Sequence, residues 1–196
     1  VREAHSALFG SKYAVPEDAT RQRRIAERKA LLGEKVFKEL WVGRAGQGGI
    51  TAADFLVIFA AMAEGLDVRD FPQFGVARTG DEVDVHVAIG NNIREHNTPV
   101  TEPDMVIIID ETLLNPKAFK GLKPGGFILV NTAESPSVIR AQLKKSGVNL
   151  PEGVKIFTVD ATAIGRKYLG ENRQNIPMLA ARILISQLTD LDFGDP

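Results

Sequence analysis

A short apolar stretch, a glycine-rich turn and the start of a long apolar helix follow one another in Leu40-Trp41-Val42-Gly43-Arg44-Ala45-Gly46-Gln47-Gly48-Gly49-Ile50-Thr51, and nothing else in the chain restricts its fold as much. Glycine turns tightly without steric cost, so Gly43, Gly46, Gly48 and Gly49 let the backbone bring its N–H groups close to something outside. A helix opening directly after such a turn points its unpaired N–H groups, and the positive end of its dipole, at the same place. The segment therefore reads as a holder for an anion, a phosphate or a partner's polar loop.

From Val36 onward, strand and helix patterns alternate. Val36 to Val42 reads as the first strand, and Ile50 to Glu64 as a helix closed by Gly65. Asp67 to Phe71 is a short strand leading into Pro72. Val83, Val85, Val87 and Ile89 alternate with Asp84, His86 and Ala88, the period of a half-buried strand. Met105 to Ile109 and Phe127 to Val130 are unbroken apolar runs, as in central parallel strands covered on both faces. A helical segment is expected around Thr112 to Phe119, and a helix over Ser135 to Lys145 with serine as N-cap and proline following it. Val154 to Val159 is a further strand, with helices near Ala161–Leu169 and Pro177–Leu188. This alternation specifies an α/β fold: a Rossmann-like open, mostly parallel sheet with helices on both faces. In a chain of 196 residues, 44% of them hydrophobic, it fits one domain over 36–196.

Residues 1–35 differ. Arg21, Arg23, Arg24, Arg28 and Lys29 alternate with Glu27 and Glu34 around Ile25, Ala26, Leu31 and Leu32. Pro16-Glu17-Asp18 suits a helix start and Gly33 an end. This N-terminal helical arm is either a solvated helix or a segment lying across a partner subunit.

Several classes of function drop out. The net charge of −1 gives no reason to expect nucleic acid or a membrane surface as partner. The longest apolar run, Phe55 to Ala63, is too short to cross a bilayer. With no secretory pattern at the N-terminus, a cytoplasmic location is expected. The first residue is valine, so an initiator residue or a longer leader is expected to precede it. Cysteine is absent, which excludes disulfides, thiolate chemistry and thiolate-ligated clusters within this chain. His5, His86 and His96 are too dispersed for a metal site, and His86 and His96 each read more readily as an exposed or hydrogen-bonded histidine than as a general base. No Walker spacing and no Gly-x-Ser-x-Gly elbow occur. Against the dinucleotide fingerprint the match is partial: Gly46 and Gly48 align, Thr51 takes the third position, and Asp67 or Asp70 would be the acidic residue. A free-standing NAD- or FAD-binding domain and a purely structural subunit both remain alternatives. The helix Ile50–Ala63 is apolar nearly all round, which suggests a face packed on another subunit.

Three segments in register carry a family resemblance. Gly43 to Ala53 is similar to the Gly-Arg-Gly-Gly-Gln-Gly-x-x-Thr-Ala segment of the gamma subunit of 2-oxoacid:ferredoxin oxidoreductases, the pyruvate:ferredoxin oxidoreductase family. Phe71-Pro72-Gln73-Phe74-Gly75-Val76-Ala77-Arg78-Thr79-Gly80 resembles that family's Phe/Tyr-Pro-x-Phe-Gly-Pro-Glu-Arg-Arg-Gly, and Glu102-Pro103-Asp104 before the strand ending at Asp110 resembles its Glu-Pro-Asp. The resemblance implies a subunit of a multi-subunit enzyme that oxidatively decarboxylates a 2-oxoacid, with coenzyme A as co-substrate. Alpha, beta and ferredoxin-like delta subunits would be the partners, and ferredoxin or another acceptor would take the electrons. Thiamine diphosphate, Mg²⁺ and [4Fe-4S] clusters would lie in those other chains and none in this one.

Open α/β sheets bind ligands beyond the carboxyl ends of their strands, where Gly43, Arg44, Gly46, Gln47, Gly48 and Gly49 of the turn, Asp110 and Asn131 fall; the resemblance adds Thr51, Phe74, Gly75 and Arg78, and implies that the set holds coenzyme A or a partner's loop. No residue is assigned a catalytic role. Ala45, Ala77, Thr79 and Asp81-Glu82 depart from the family pattern. Those departures point away from pyruvate, toward aromatic or branched-chain 2-oxoacids or oxalate.

Overall fold

The computed structural model describes residues 18–74, 80–91, 93, 98–171 and 173–188. In chain order these form α1 (Asp18–Leu32), β1 (Val36–Arg44), α2 (Gly49–Glu64), β2 (Asp67–Phe74), β3 (Glu82–Gly90), β4 (Met105–Ile108), a 3-10 turn (Glu111–Leu113), β5 (Phe127–Asn131), α3 (Pro136–Lys145), β6 (Lys155–Val159), α4 (Ala161–Leu169) and α5 (Asn175–Leu188).

The six strands make one sheet in the order β2-β3-β1-β4-β5-β6. The pairings of β1 with β4, β4 with β5 and β5 with β6 are parallel, as the unbroken apolar runs require. β3 runs against its neighbours and is inserted between β1 and β2. The crossover β1-α2-β2 therefore skips one strand position, which the alternating pattern of β3 did not disclose. Pro72 sits within β2, which is an edge strand and so tolerates a residue that cannot donate to a ladder.

Side-chain alternation divides the core in two. Phe37, Trp41, Val85, Val87, Ile107 and Leu129 face α2, α4 and α5, while Leu40, Val42, Ile108, Ile128 and Val130 face α3 and the 111–124 segment. Helices thus cover both faces. The helix expected around 112–119 is replaced by the 3-10 turn and a run of turns. Asn115 explains this: its Oδ1 accepts the N–H groups of Lys117 and Ala118 at 3.0 and 3.3 Å, and Pro116 beside it has no N–H to give.

A buried ion pair ties α5 to β1. Glu39 is fully buried and Arg182 nearly so; the Arg182 Nε donates to Glu39 Oε1 at 2.8 Å and its Nη2 reaches the same oxygen. The Trp41 indole N–H donates to the other carboxylate oxygen at 2.9 Å, and Arg182 Nη1 donates to Ser186 Oγ at 3.1 Å.

Candidate functional site

Parallel strands bring their carboxyl ends to one edge of a sheet, where open α/β folds hold their ligands. Here Val42 is level with Ile108, Ile108 with Val130, and Asn131 with Val159. The turn after β1, Asp110 after β4, Asn131 ending β5 and Asp160 after β6 consequently share that edge, as their positions in the sequence imply.

In the turn, Gly46 and Gly48 take positive φ values of 92° and 76°, a region that side chains rarely tolerate. Gly48 precedes α2, and no side chain caps the helix there. A Cβ on Gly48 would lie 2.6 Å from Nδ2 of Asn175, whereas one on Gly46 would meet nothing within 4 Å. The helix start is thus pressed against α5 on one side and open at Gly46 on the other. Beside it lies a cavity of about 310 Å³ lined by Trp41, Ala45, Ile50, Val83, Val85 and Ile109 among others. Uncapped N–H groups above an apolar cleft suit a ligand with an anionic end and an apolar body.

Arg44 does not face that opening with a free charge. Its Nε donates to Asp110 Oδ2 at 3.1 Å, Nη1 to the Gly80 carbonyl at 3.1 Å, and Nη2 to Thr112 Oγ1 at 2.8 Å. Gln47 completes the clamp: its Nε2 donates to Asp110 Oδ2 at 2.7 Å while its Oε1 accepts Arg44 N–H at 2.8 Å. Thr112 donates to Asp110 Oδ1 from both N and Oγ1, at 3.0 and 2.6 Å. Burial alone would raise the Asp110 pKa, but these donors and the Arg44 charge outweigh it and hold the carboxyl below its ordinary range. Arg44, Gln47 and Asp110 therefore fix the shape of the turn from within. Thr112 was not among the candidate residues; a threonine two positions after an aspartate is the signal of an Asx turn.

Asn131 is likewise turned inward. It is 8% exposed, its Nδ2 donates to the Ile109 carbonyl and Thr162 Oγ1, and its Oδ1 accepts Thr162 N–H. Asp160 caps α4 by accepting Ala163 N–H at 2.8 Å. Thr51 lies exposed in the first turn of α2. Phe74 ends β2 opposite Val83, and Gly75 and Arg78 lie outside the described residues. Asp104, in the third segment, pins β4 to β1: its Oδ2 accepts Lys38 N–H and its Oδ1 accepts Lys123 Nζ, both at 2.7 Å. Ala45 donates its N–H to the Asp81 carbonyl at 2.9 Å and packs its methyl against the core.

His86 is a hydrogen-bonded strand residue, on the opposite face of the sheet from α2. Its Nδ1 accepts Val100 N–H at 3.1 Å, so the ring proton sits on Nε2, 3.2 Å from Gln73 Oε1. Burial pushes its pKa below the usual histidine value. The unfolded chain then takes up the proton first as pH falls below about 6.5, so stability present above that pH should decline with acidification. His86→Gln should flatten the dependence of unfolding free energy between neutral and mildly acidic pH; an unchanged slope would contradict this.

The inserted strand bears on dinucleotide binding. In that fold β2 adjoins β1 and offers its acidic residue to the ribose beside the glycine turn. Here β3 intervenes, Asp67 begins β2 at the opposite edge of the sheet, and Asp70 lies mid-strand against Asp54 of α2. The acidic residue is misplaced for a ribose.

Comparison with known proteins gives a consistent match. Residues 39–193 fit the family described as "Pyruvate ferredoxin/flavodoxin oxidoreductase". The chain is 37% identical over 161 residues to pyruvate synthase subunit PorC of Thermotoga maritima, covering 82% of this chain and 80% of that one. It is also 37% identical over 151 residues to the pyruvate/ketoisovalerate oxidoreductases common subunit gamma of Thermococcus kodakarensis, covering 76% and 78%. Among solved structures, the pyruvate oxidoreductase subunit PORC from Thermotoga maritima superposes with a TM-score of 0.66 at 38% identity, covering 78% of each chain.

Proposed function

Because the chain belongs to the pyruvate ferredoxin/flavodoxin oxidoreductase family, we propose that it is the gamma subunit of a 2-oxoacid:ferredoxin oxidoreductase whose substrates are pyruvate or a branched-chain 2-oxoacid. The observation that carries this reading is the match over 39–193 together with relatives of about equal similarity named for pyruvate and for pyruvate and ketoisovalerate. The expectation of a substrate other than pyruvate is not supported, since a relative 37% identical is a pyruvate synthase subunit.

The complex would oxidise the 2-oxoacid with coenzyme A to an acyl-CoA and CO2, passing two electrons to ferredoxin or another acceptor. Thiamine diphosphate with Mg²⁺ and the iron–sulfur clusters would belong to alpha, beta and delta partners. This chain has no cysteine to ligate a cluster, and among the described residues no three His, Asp or Glu side chains gather as a metal site. The chain's own part is to receive the anionic end of coenzyme A, or an acidic loop of a partner, on the uncapped N–H groups at Gly48–Thr51, with the apolar cleft beside it taking the uncharged portion. The Arg44–Asp110 clamp keeps those N–H groups in place.

Reconstituting the enzyme with and without this chain tests the reading. Coenzyme A-dependent reduction of ferredoxin by pyruvate or ketoisovalerate should require it, and full activity in its absence would overturn the assignment. Gly46→Ala separates the two ligands of the turn. The added methyl strains the backbone by about 1–2 kcal/mol but clashes with nothing within 4 Å. In the assembled enzyme the KM for coenzyme A should rise about tenfold (about 1.4 kcal/mol) with kcat little changed. An unchanged KM with a weakened complex would assign the turn to a partner loop instead.

A further inference from the structure

Two helices begin side by side at the carboxyl edge of the sheet. α2 starts after Gly48, α5 starts at Asn175, and the two pack together. Asn175 stands over the head of α2: a Cβ on Gly48 would lie 2.6 Å from its Nδ2, 2.8 Å from its Cγ and 3.2 Å from its Cβ. Gly48 is the N-cap position of α2, where the side-chain oxygen of serine, threonine, aspartate or asparagine ordinarily accepts helix N–H groups. The carboxamide of Asn175 therefore occupies, from another helix, the space that an N-cap side chain would fill. Among the described residues it has no hydrogen-bond partner.

The atom nearest that position is Nδ2, a donor like the N–H groups of the helix start beside it. Donors gathered with no acceptor among them call for an anion. Neither α2 nor α5 has an acidic residue in its first turn, so the chain offers these two positive helix ends no carboxylate of its own. Beside Asn175, Gln174 is 3% exposed and its Oε1 has no hydrogen-bond partner. A buried carboxamide oxygen costs free energy unless a donor reaches it, and no described residue supplies one. The head of α5 thus carries two successive unsatisfied carboxamides, next to a glycine that lines the apolar cleft.

We infer that Asn175 is a binding residue of the glycine-turn site, and that its Nδ2 donates to a phosphate of coenzyme A held on the N–H groups at Gly48–Thr51. This rests on the reading that the turn receives coenzyme A, and it names the group that lies there. An N-cap oxygen sits one or two bonds from Cβ, so a phosphate oxygen taking its place comes within reach of Nδ2. A phosphate suits the site better than a carboxylate because it presents three strong acceptor oxygens, and donors approach here from two helices. A carboxylate, with two oxygens, is satisfied by one helix start alone. Aspartate would serve the start of α5 as well as asparagine does, yet a carboxylate over Gly48 would repel the phosphate.

The assembled enzyme carrying Asn175→Asp tests this, because the change keeps the shape and suits a helix start while replacing a donor with a charged acceptor. The KM for coenzyme A should rise about tenfold or more, with kcat and the KM for the 2-oxoacid little changed. Raising the salt concentration should narrow that gap, since the penalty is a repulsion between charges. Asn175→Ser, which keeps a smaller neutral hydrogen-bonding group, should raise the KM for coenzyme A about threefold. Thermal unfolding of both variants should match that of the unaltered enzyme. An unchanged KM for coenzyme A in Asn175→Asp overturns the proposal. So does a rise in both KM values with earlier unfolding, which a merely structural role would give, or a weakened complex with coenzyme A kinetics intact. If Gly46→Ala raises the KM and Asn175→Asp does not, the coenzyme A reading of the turn stands without Asn175; if neither does, that reading fails.

Discussion

Replacing Arg182 with alanine is expected to lower the free energy of unfolding by about 3–5 kcal/mol, because it leaves a carboxylate buried without its countercharge. Glu39 has no exposure at all, and among the described residues its cationic partner is Arg182, itself 5% exposed. The Trp41 indole N–H, held on the other carboxylate oxygen, cannot neutralise the charge left behind. The loss would spread, since the guanidinium also lies 5.9 Å over the Phe37 ring and holds Ser186. Denaturant titration of the full chain measures this directly. Replacing both residues, as Glu39→Met with Arg182→Met, should recover much of the loss, because two apolar side chains in such a site cost far less than one unpaired charge. A single substitution costing under about 1 kcal/mol would contradict the reading of this pair as a closed, dry contact.

The second large effect is expected at Asp110. Its carboxylate accepts from Arg44, Gln47 and Thr112, and it joins the ends of β1 and β4 to the glycine turn. Asp110→Ala should cost about 2–3 kcal/mol, the scale for a hydrogen-bonded charged group whose donors lose their acceptor. The folded pKa lies below the unfolded value, so the contribution is complete above the ordinary aspartate pKa. It is lost as pH falls from about 3.9 through the folded value. Asp110→Asn keeps the shape and removes the charge; it should abolish that acid-range slope and retain part of the stability. In the assembled enzyme both variants should loosen the turn and raise the KM for coenzyme A. Full stability with unaltered kinetics would remove Asp110 from the account.

Much of this architecture is legible in the sequence because its signals are local. Met105 to Ile109 and Phe127 to Val130 read as central strands since a strand covered on both faces has no polar period. Gly65, with φ 62°, ends α2 where a left-handed residue was expected. Over 112–119 side-chain capping outweighs the helical pattern: Asn115 and Pro116 divert the chain into turns. What the pattern could not give is long-range. The insertion of β3 between β1 and β2 depends on which strand wins an edge, and period-2 alternation says only that one face is wet. In the sequence Arg44 is only one candidate of the glycine turn; its partners Asp110 and Thr112 lie sixty-six and sixty-eight positions later and give no local sign of the clamp. Glu39 and Arg182 are separated by 143 positions and give no sequence sign of each other. Of the segments that carry the resemblance, the glycine turn and Asp110 lie at the carboxyl edge of the sheet, whereas Glu102-Pro103-Asp104 precedes β4 at the other edge, where Asp104 pins β4 to β1.

A chain that works as a gamma subunit within a larger oxidoreductase should be isolated together with its partner subunits. Affinity purification of the tagged chain from cells that express it natively tests this most directly, followed by mass spectrometry and an assay of the eluate. The expected result is recovery of a thiamine-binding subunit and a cysteine-rich ferredoxin-like subunit, with reduction of ferredoxin that depends on both a 2-oxoacid and coenzyme A. A chain recovered without such partners, and inactive with pyruvate and ketoisovalerate alike, would contradict it.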